Sequence, residues 1–121
     1  MDETTQSALI LTVDVNKRNL ALLAQMLHQA GYRTLPAATI PALDQALEAP
    51  ISLALIDISG FGADIWQRCQ RLRERAIPLL LISARQSAAL QQASAAHGAC
   101  GMLVKPLVIR ELLGLIRSLL K

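Results

Sequence analysis

Apolar residues fall along this chain in short runs, separated by longer stretches of helical period. Residues 8–13, 32–37, 52–56, 79–82 and 102–104 carry no 3.6-residue repeat, and each run has the length of a buried strand. Between them the spacing predicts helices. Asn16 is placed to cap a helix over 17–30, with Leu20, Leu23, Ala24 and Leu27 on one face and Gly31 ending it. Thr39 caps a second, with Pro41 in its first turn, Leu43, Ala46 and Leu47 inward, and Pro50 as its stop. Asp64 is expected to cap a third over 65–75. An Ala/Gln/Ser-rich helix is predicted from Ser87 to His97. A last one, over 108–120, turns Leu112, Leu113, Ile116, Leu119 and Leu120 to the core.

Strands that are apolar throughout, each followed by a helix, imply a parallel sheet covered on both faces. Right-handed crossovers leave few arrangements. The best fit is an α/β fold: a flavodoxin-like three-layer sandwich with a five-stranded parallel sheet, order 2-1-3-4-5, and five helices. The 121 residues make one domain, 1–121, in which residues 1–7 are expected to be flexible.

Composition narrows the function classes. The chain is 53% hydrophobic, yet Tyr32, Phe61 and Trp66 are its only aromatics, so the core is aliphatic and no base-stacking platform is available. A net charge of +3 does not mark a nucleic-acid surface, and Arg68, Arg71, Arg73 and Arg75 read as a solvated helix face. Cys69 and Cys100 lack metal spacing and are expected as buried or half-buried free thiols. With no signal peptide and no run long enough to span a bilayer, the expectation is a cytoplasmic protein without a membrane partner. His28 and His97 are expected as surface residues. Gly60-x-Gly62 is no dinucleotide fingerprint, since position 65 is Ile and the segment follows the third strand.

The chemistry sits where runs end. Asp14 follows the first, Asp57 the third, and Lys105-Pro106 the fifth. Ligand chemistry gathers at the carboxyl edge of such sheets, and the order 2-1-3-4-5 sets Asp14 and Asp57 side by side. Ser83 stands at the end of the fourth run, either as a plain strand end or as a switch hydroxyl. These pieces carry a resemblance. Ile10-Leu11-Thr12-Val13-Asp14, Leu53-Ala54-Leu55-Ile56-Asp57, Leu81-Ile82-Ser83-Ala84 and the stretch from Gly98 to Pro106 are, in order and spacing, similar to the receiver (CheY-like) domains of two-component response regulators and hybrid histidine kinases. Asn16-Lys17-Arg18-Asn19-Leu20 is similar to the start of many receivers.

The resemblance implies that Asp57 accepts a phosphoryl group from a phosphohistidine on a histidine kinase or phosphotransfer protein. It implies that Asp14 and Asp57 hold Mg²⁺, and that Ser83 and Lys105 contact the phosphoryl group. The Lys105-Pro106 peptide is a candidate for the cis form. It also implies a phosphoacceptor signalling domain rather than an enzyme, with self-catalysed transfer and dephosphorylation at most. Helices from Ser87 to His97 and from Val108 to Lys121 are candidate surfaces for a partner or a second copy. The chain departs from the pattern at Val15, where a second acid usually stands, which predicts weak Mg²⁺ binding. Met102 replaces an aromatic at the switch position, and Gly60-Phe61-Gly62 replaces a proline-bearing loop. Two alternatives stay open: a phosphorylation-independent pseudo-receiver acting as an interaction module, and a small flavodoxin-like enzyme or cofactor binder.

Overall fold

The computed structural model describes residues 8–85, 87–96 and 98–120. Its elements alternate strictly: β1 (Leu9–Val13), α1 (Lys17–Gln29), β2 (Arg33–Ala37), α2 (Ile40–Ala46), β3 (Leu53–Asp57), α3 (Asp64–Glu74), β4 (Leu79–Ser83), α4 (Ala88–Ala96), β5 (Gly101–Val104) and α5 (Ile109–Leu119). All pairings are parallel and the strand order is β2-β1-β3-β4-β5. Residues 1–7 and His97, with the expectations placed on them, lie outside the described residues.

Strand pleating sorts the core into two layers. Ile10, Leu53, Leu55, Leu80 and Ile82 face Leu27 of α1 and Leu112 and Ile116 of α5. Their alternates, Leu11, Val13, Ala54, Ile56, Leu79 and Leu81, face α2 and α3 through Leu43, Ala46, Ile65, Cys69 and Leu72. Thr12 is the polar exception. It is fully buried, and its Oγ1 has no hydrogen-bond partner among the described residues.

Several expectations shift. Strand β3 runs one residue later than predicted because Ser52 is used for register: its N–H donates to the Leu9 carbonyl and its Oγ accepts the Leu9 N–H. Asp57 thereby becomes the last strand residue rather than the first of the loop. Asp64 does not cap α3. Ala63 is already helical at φ −61° and ψ −19°, so Asp64 lies inside the first turn, where its charge faces the positive helix end. Asn16 and Thr39 do cap, accepting from the backbone N–H groups of Asn19 and Ala42 at 3.1 and 3.2 Å. Val108 precedes α5 without a side-chain cap, having no oxygen to offer.

Arg71, Arg73 and Arg75, in and just after α3, are exposed, as expected of a solvated face, and Arg68 is half-buried; all four also bond neighbouring elements. Arg68 forks onto Asp44 of α2 at 2.8 and 2.9 Å, and Arg71 reaches the same carboxylate at 3.4 Å. The Arg68 hydrogen bond holds the Asp44 carboxyl below the usual range. Arg75 donates to the Leu47 and Ala49 carbonyls where α2 ends. Arg73 donates to the Ala96 carbonyl at the end of α4, while its stem lies where a Cβ on Gly98 would fall, at 2.6 Å. Gly98 also has φ +92°, so glycine is required twice over. Burial pushes the Cys69 thiol up to about 12, which keeps it protonated and unreactive. Cys100 departs from expectation: it lies in the turn before β5 and is exposed.

Removing the stranded hydroxyl should help. Thr12→Val is expected to stabilise the fold by about 1 kcal/mol, because it deletes a buried group that has lost water without gaining a partner. A rise of about 4 °C in thermal midpoint by calorimetry is the expected readout, and an unchanged or lower midpoint would mean that the hydroxyl is satisfied.

Candidate functional site

Register brings the strand ends level. Val13 lies beside Ile56, so Asp14 follows at the height of Asp57; Asp57 lies beside Ile82, and Ser83 beside Val104, the residue before Lys105. Asp14, Asp57 and Lys105 line one cavity of about 510 Å³. Its apolar wall comes from α1 and from the segment entering α5, including Leu22, Met26 and Leu107.

Asp57 is 2% exposed. Its Oδ1 accepts the Ser59 N–H at 2.9 Å, and its Oδ2 forms an ion pair with the Lys105 ammonium. The contact between Lys105 and the Asp57 side chain raises the Lys105 pKa, with desolvation opposing and the charges of Asp57 and Asp14 assisting. Asp14 is 8% exposed. Its Oδ1 accepts the Asn16 N–H at 2.9 Å and its Oδ2 accepts from Asn19 Nδ2 at 3.2 Å. With two carboxylates and one ammonium, the site carries a formal charge of −1. The Lys105-Pro106 peptide is cis.

Other predicted site residues lie apart from the cavity. Leu81 alternates into the α2/α3 layer, and Ser83, two residues on, follows its side of the strand. The Ser83 hydroxyl closes a local turn, donating to the Arg85 carbonyl at 3.0 Å and accepting the Arg85 N–H at 3.1 Å. Met102 packs against the α2/α3 cluster. Val15 is 45% exposed and rests on the β3–α3 loop; a Cβ on Gly60 would meet its Cγ2 at 2.8 Å. Gly60 holds φ +87°, so this close approach needs glycine. His28 is exposed and hydrogen-bonds Thr34 Oγ1 at 3.0 Å. Sequence reasoning missed the side-chain role of Asn19 and the Ser83–Arg85 turn. Asn19 stands at the third helical position after the Asn16 cap, a spacing at which side chains reach back to the cap, and that signal was available.

No protein-family model matches the chain. Curated proteins do. It is 30% identical over 123 aligned positions to the transcriptional regulatory protein ResD of Bacillus subtilis, covering 100% of this chain and 51% of that protein. It is 33% identical over 120 positions to the transcriptional regulatory protein HprR of Escherichia coli, covering 93% and 51%. The chain thus spans about half the length of these relatives. A solved CheY-like response regulator receiver domain protein from Methanospirillum hungatei superposes with a TM-score of 0.85 at 25% identity, covering 95% of this chain and 94% of that one. The chain belongs to the CheY-like receiver domains of response regulators.

The receiver fold is that of a signalling domain rather than of a classical enzyme. Among the described residues no helix is long and apolar enough to cross a membrane, and no three His, Cys, Asp or Glu side chains group as metal ligands. Mg²⁺, the cation such domains imply, prefers carboxylate oxygen and keeps several waters. Asp14 and Asp57 on one cavity wall fit a largely hydrated ion of this kind; Val15 adds no oxygen.

The buried ion pair makes an asymmetric prediction. Lys105→Met strands the Asp57 carboxylate and is expected to cost about 1–2 kcal/mol in urea unfolding at pH 7, after discounting for screening at the lysine end. Asp57→Asn lets the partly exposed Lys105 return to water and should cost less, or stabilise. Because the folded Lys105 pKa is raised, its contribution is complete below the ordinary lysine value of 10.5 and is lost as pH rises through the raised one. An equal loss for both variants would contradict this account.

Proposed function

We propose that this receiver domain accepts a phosphoryl group on Asp57 from a phosphohistidine of a histidine kinase or phosphotransfer protein. A carboxylate oxygen of Asp57 forms the new bond to phosphorus as the phosphorus–nitrogen bond breaks. The bonding pair returns to the imidazole, which takes up a proton. The observation that carries this reading is the Asp57 carboxylate itself, buried at the central strand end, ion-paired to Lys105 and level with Asp14. Transfer of this type needs positioning and positive charge far more than covalent help. The product carries a charge of about −1.5 to −2, as phosphorylated side chains do. Lys105 is the group that exchanges the carboxylate for a phosphoryl oxygen. Mg²⁺, when bound, supplies the remaining neutralisation. Asp14 and Asp57 are the residues that hold it, weakly, because Val15 puts an isopropyl group where a further oxygen would serve.

Ser83 enters only by releasing Arg85, so its hydroxyl is coupled to the turn before α4. Beyond that turn α4 carries no charge, and Ala88, Ala89, Ala95 and Ala96 are exposed. Val108 and Leu115 are 53% and 38% exposed at α5. These apolar positions support the two helices as the face that meets a partner or a second copy.

Acetyl phosphate with Mg²⁺ should add one phosphoryl group per chain by mass spectrometry, and Asp57→Asn should abolish it. Val15→Asp should lower the Mg²⁺ concentration for half-maximal labelling at least about tenfold, equivalent to about 1.4 kcal/mol. No labelling of either the native chain or the Val15→Asp variant would reject the phosphoacceptor reading in favour of a phosphorylation-independent module.

A further inference from the structure

We propose that Asn19 is a positioning residue for the Asp14 carboxylate, fixing the orientation in which Asp14 meets a divalent cation. The inference rests on Asp14 serving as a cation ligand, and it assigns Asn19 a part that its place in a helix does not require. In an ordinary capping box the third helical residue reaches back to the backbone N–H of the cap residue. Here that arrangement is opened and Asp14 is inserted into it. The Asn16 N–H donates to Asp14 Oδ1 at 2.9 Å, and the Asn19 side-chain amide donates to Asp14 Oδ2 at 3.2 Å. Asn19 is held in turn by its own N–H, which donates to the Asn16 side chain at 3.1 Å. Asn19 therefore touches Asp14 through one end and the cap through the other.

The hydrogen bonds that Asp14 accepts among the described residues come from neutral donors. Among the described residues it is in no ion pair, since Lys105 is engaged with Asp57. Two donors on opposite oxygens fix the plane of the carboxylate, which would otherwise rotate about its terminal bond. Asp14, Asn19, Asp57 and Lys105 line the same cavity, so the remaining lone pairs of Asp14 are available where a hydrated ion would sit. Outer partners of metal ligands act in this way, and their loss typically weakens metal binding by about 10–100-fold. Because Val15 brings no oxygen, few protein ligands remain, and the aim of Asp14 matters more.

The test is a Mg²⁺ titration of the whole chain followed by amide NMR, with acetyl phosphate labelling measured separately. Asn19→Ala is expected to raise the Mg²⁺ dissociation constant about tenfold while the fold is kept, judged by an unchanged spectrum away from α1. Asn19→Gln, which keeps a donor, should recover most of that loss. In the metal-free native chain one Asn19 amide proton should be shifted downfield, with a coupling across the hydrogen bond to the Asp14 carboxyl carbon. Binding by Asn19→Ala within twofold of the native chain, no rescue by Asn19→Gln, or no Mg²⁺ binding by the native chain would each overturn the proposal. If Asp57 resists labelling while the Mg²⁺ affinities follow the expected order, the phosphoacceptor reading fails and the role of Asn19 stands.

Discussion

Asp57 ends the central strand β3 with 2% of its surface exposed, and an ionised carboxylate at that depth must be met by donors and an opposite charge. The molecule supplies both from different parts of the chain. The Ser59 N–H comes from the adjoining loop, and the Lys105 ammonium comes from two strands away in the sheet. Lys105 can arrive only because β4 and β5 pair in a register that sets Ser83 beside Val104. Sheet order, strand register and the cavity at the strand ends are thus tied to the same electrostatic demand.

The two layers of helices play different parts. The α1/α5 layer carries the site: Asn19 orients Asp14, and Leu22, Met26 and Leu107 wall the cavity beside it. The α2/α3 layer is joined by arginines, with Arg68 and Arg71 on Asp44 and Arg75 on the Leu47 and Ala49 carbonyls just past α2. Helix α4 is held differently. Among the described residues it places none in either buried core cluster, and Arg73 reaches its final carbonyl from α3. An element with few buried apolar contacts opens at low free energy.

Val15 and Met102 both have roles in packing. Val15 contributes no oxygen to the cavity, and its isopropyl group lies against the Gly60 backbone, joining the loops after β1 and β3 by contact. Met102 fills space against the α2/α3 cluster, a role its flexible side chain suits without a ring or a hydroxyl.

Much was legible in the chain by itself. Runs of apolar residues, the caps at Asn16 and Thr39, and the punctuation by Gly31 and Pro50 determine five strands and five helices in alternation, because local period and backbone preference act over a few residues. The acids and the lysine at strand ends were readable for the same reason. Other features depended on atoms distant in sequence. Whether Asp64 caps α3 was decided by the backbone at Ala63, and what the α3 arginines bond was decided by Asp44 and by carbonyls near the ends of α2 and α4. Where Ser83 points was set by strand pleating and by Arg85, and the hold of Asn19 on Asp14 by the folding of the β1–α1 turn around Asn16. Composition and spacing fix which groups are present near a sheet edge. Only packing fixes their directions, because a hydrogen bond or ion pair is won or lost within about an ångström.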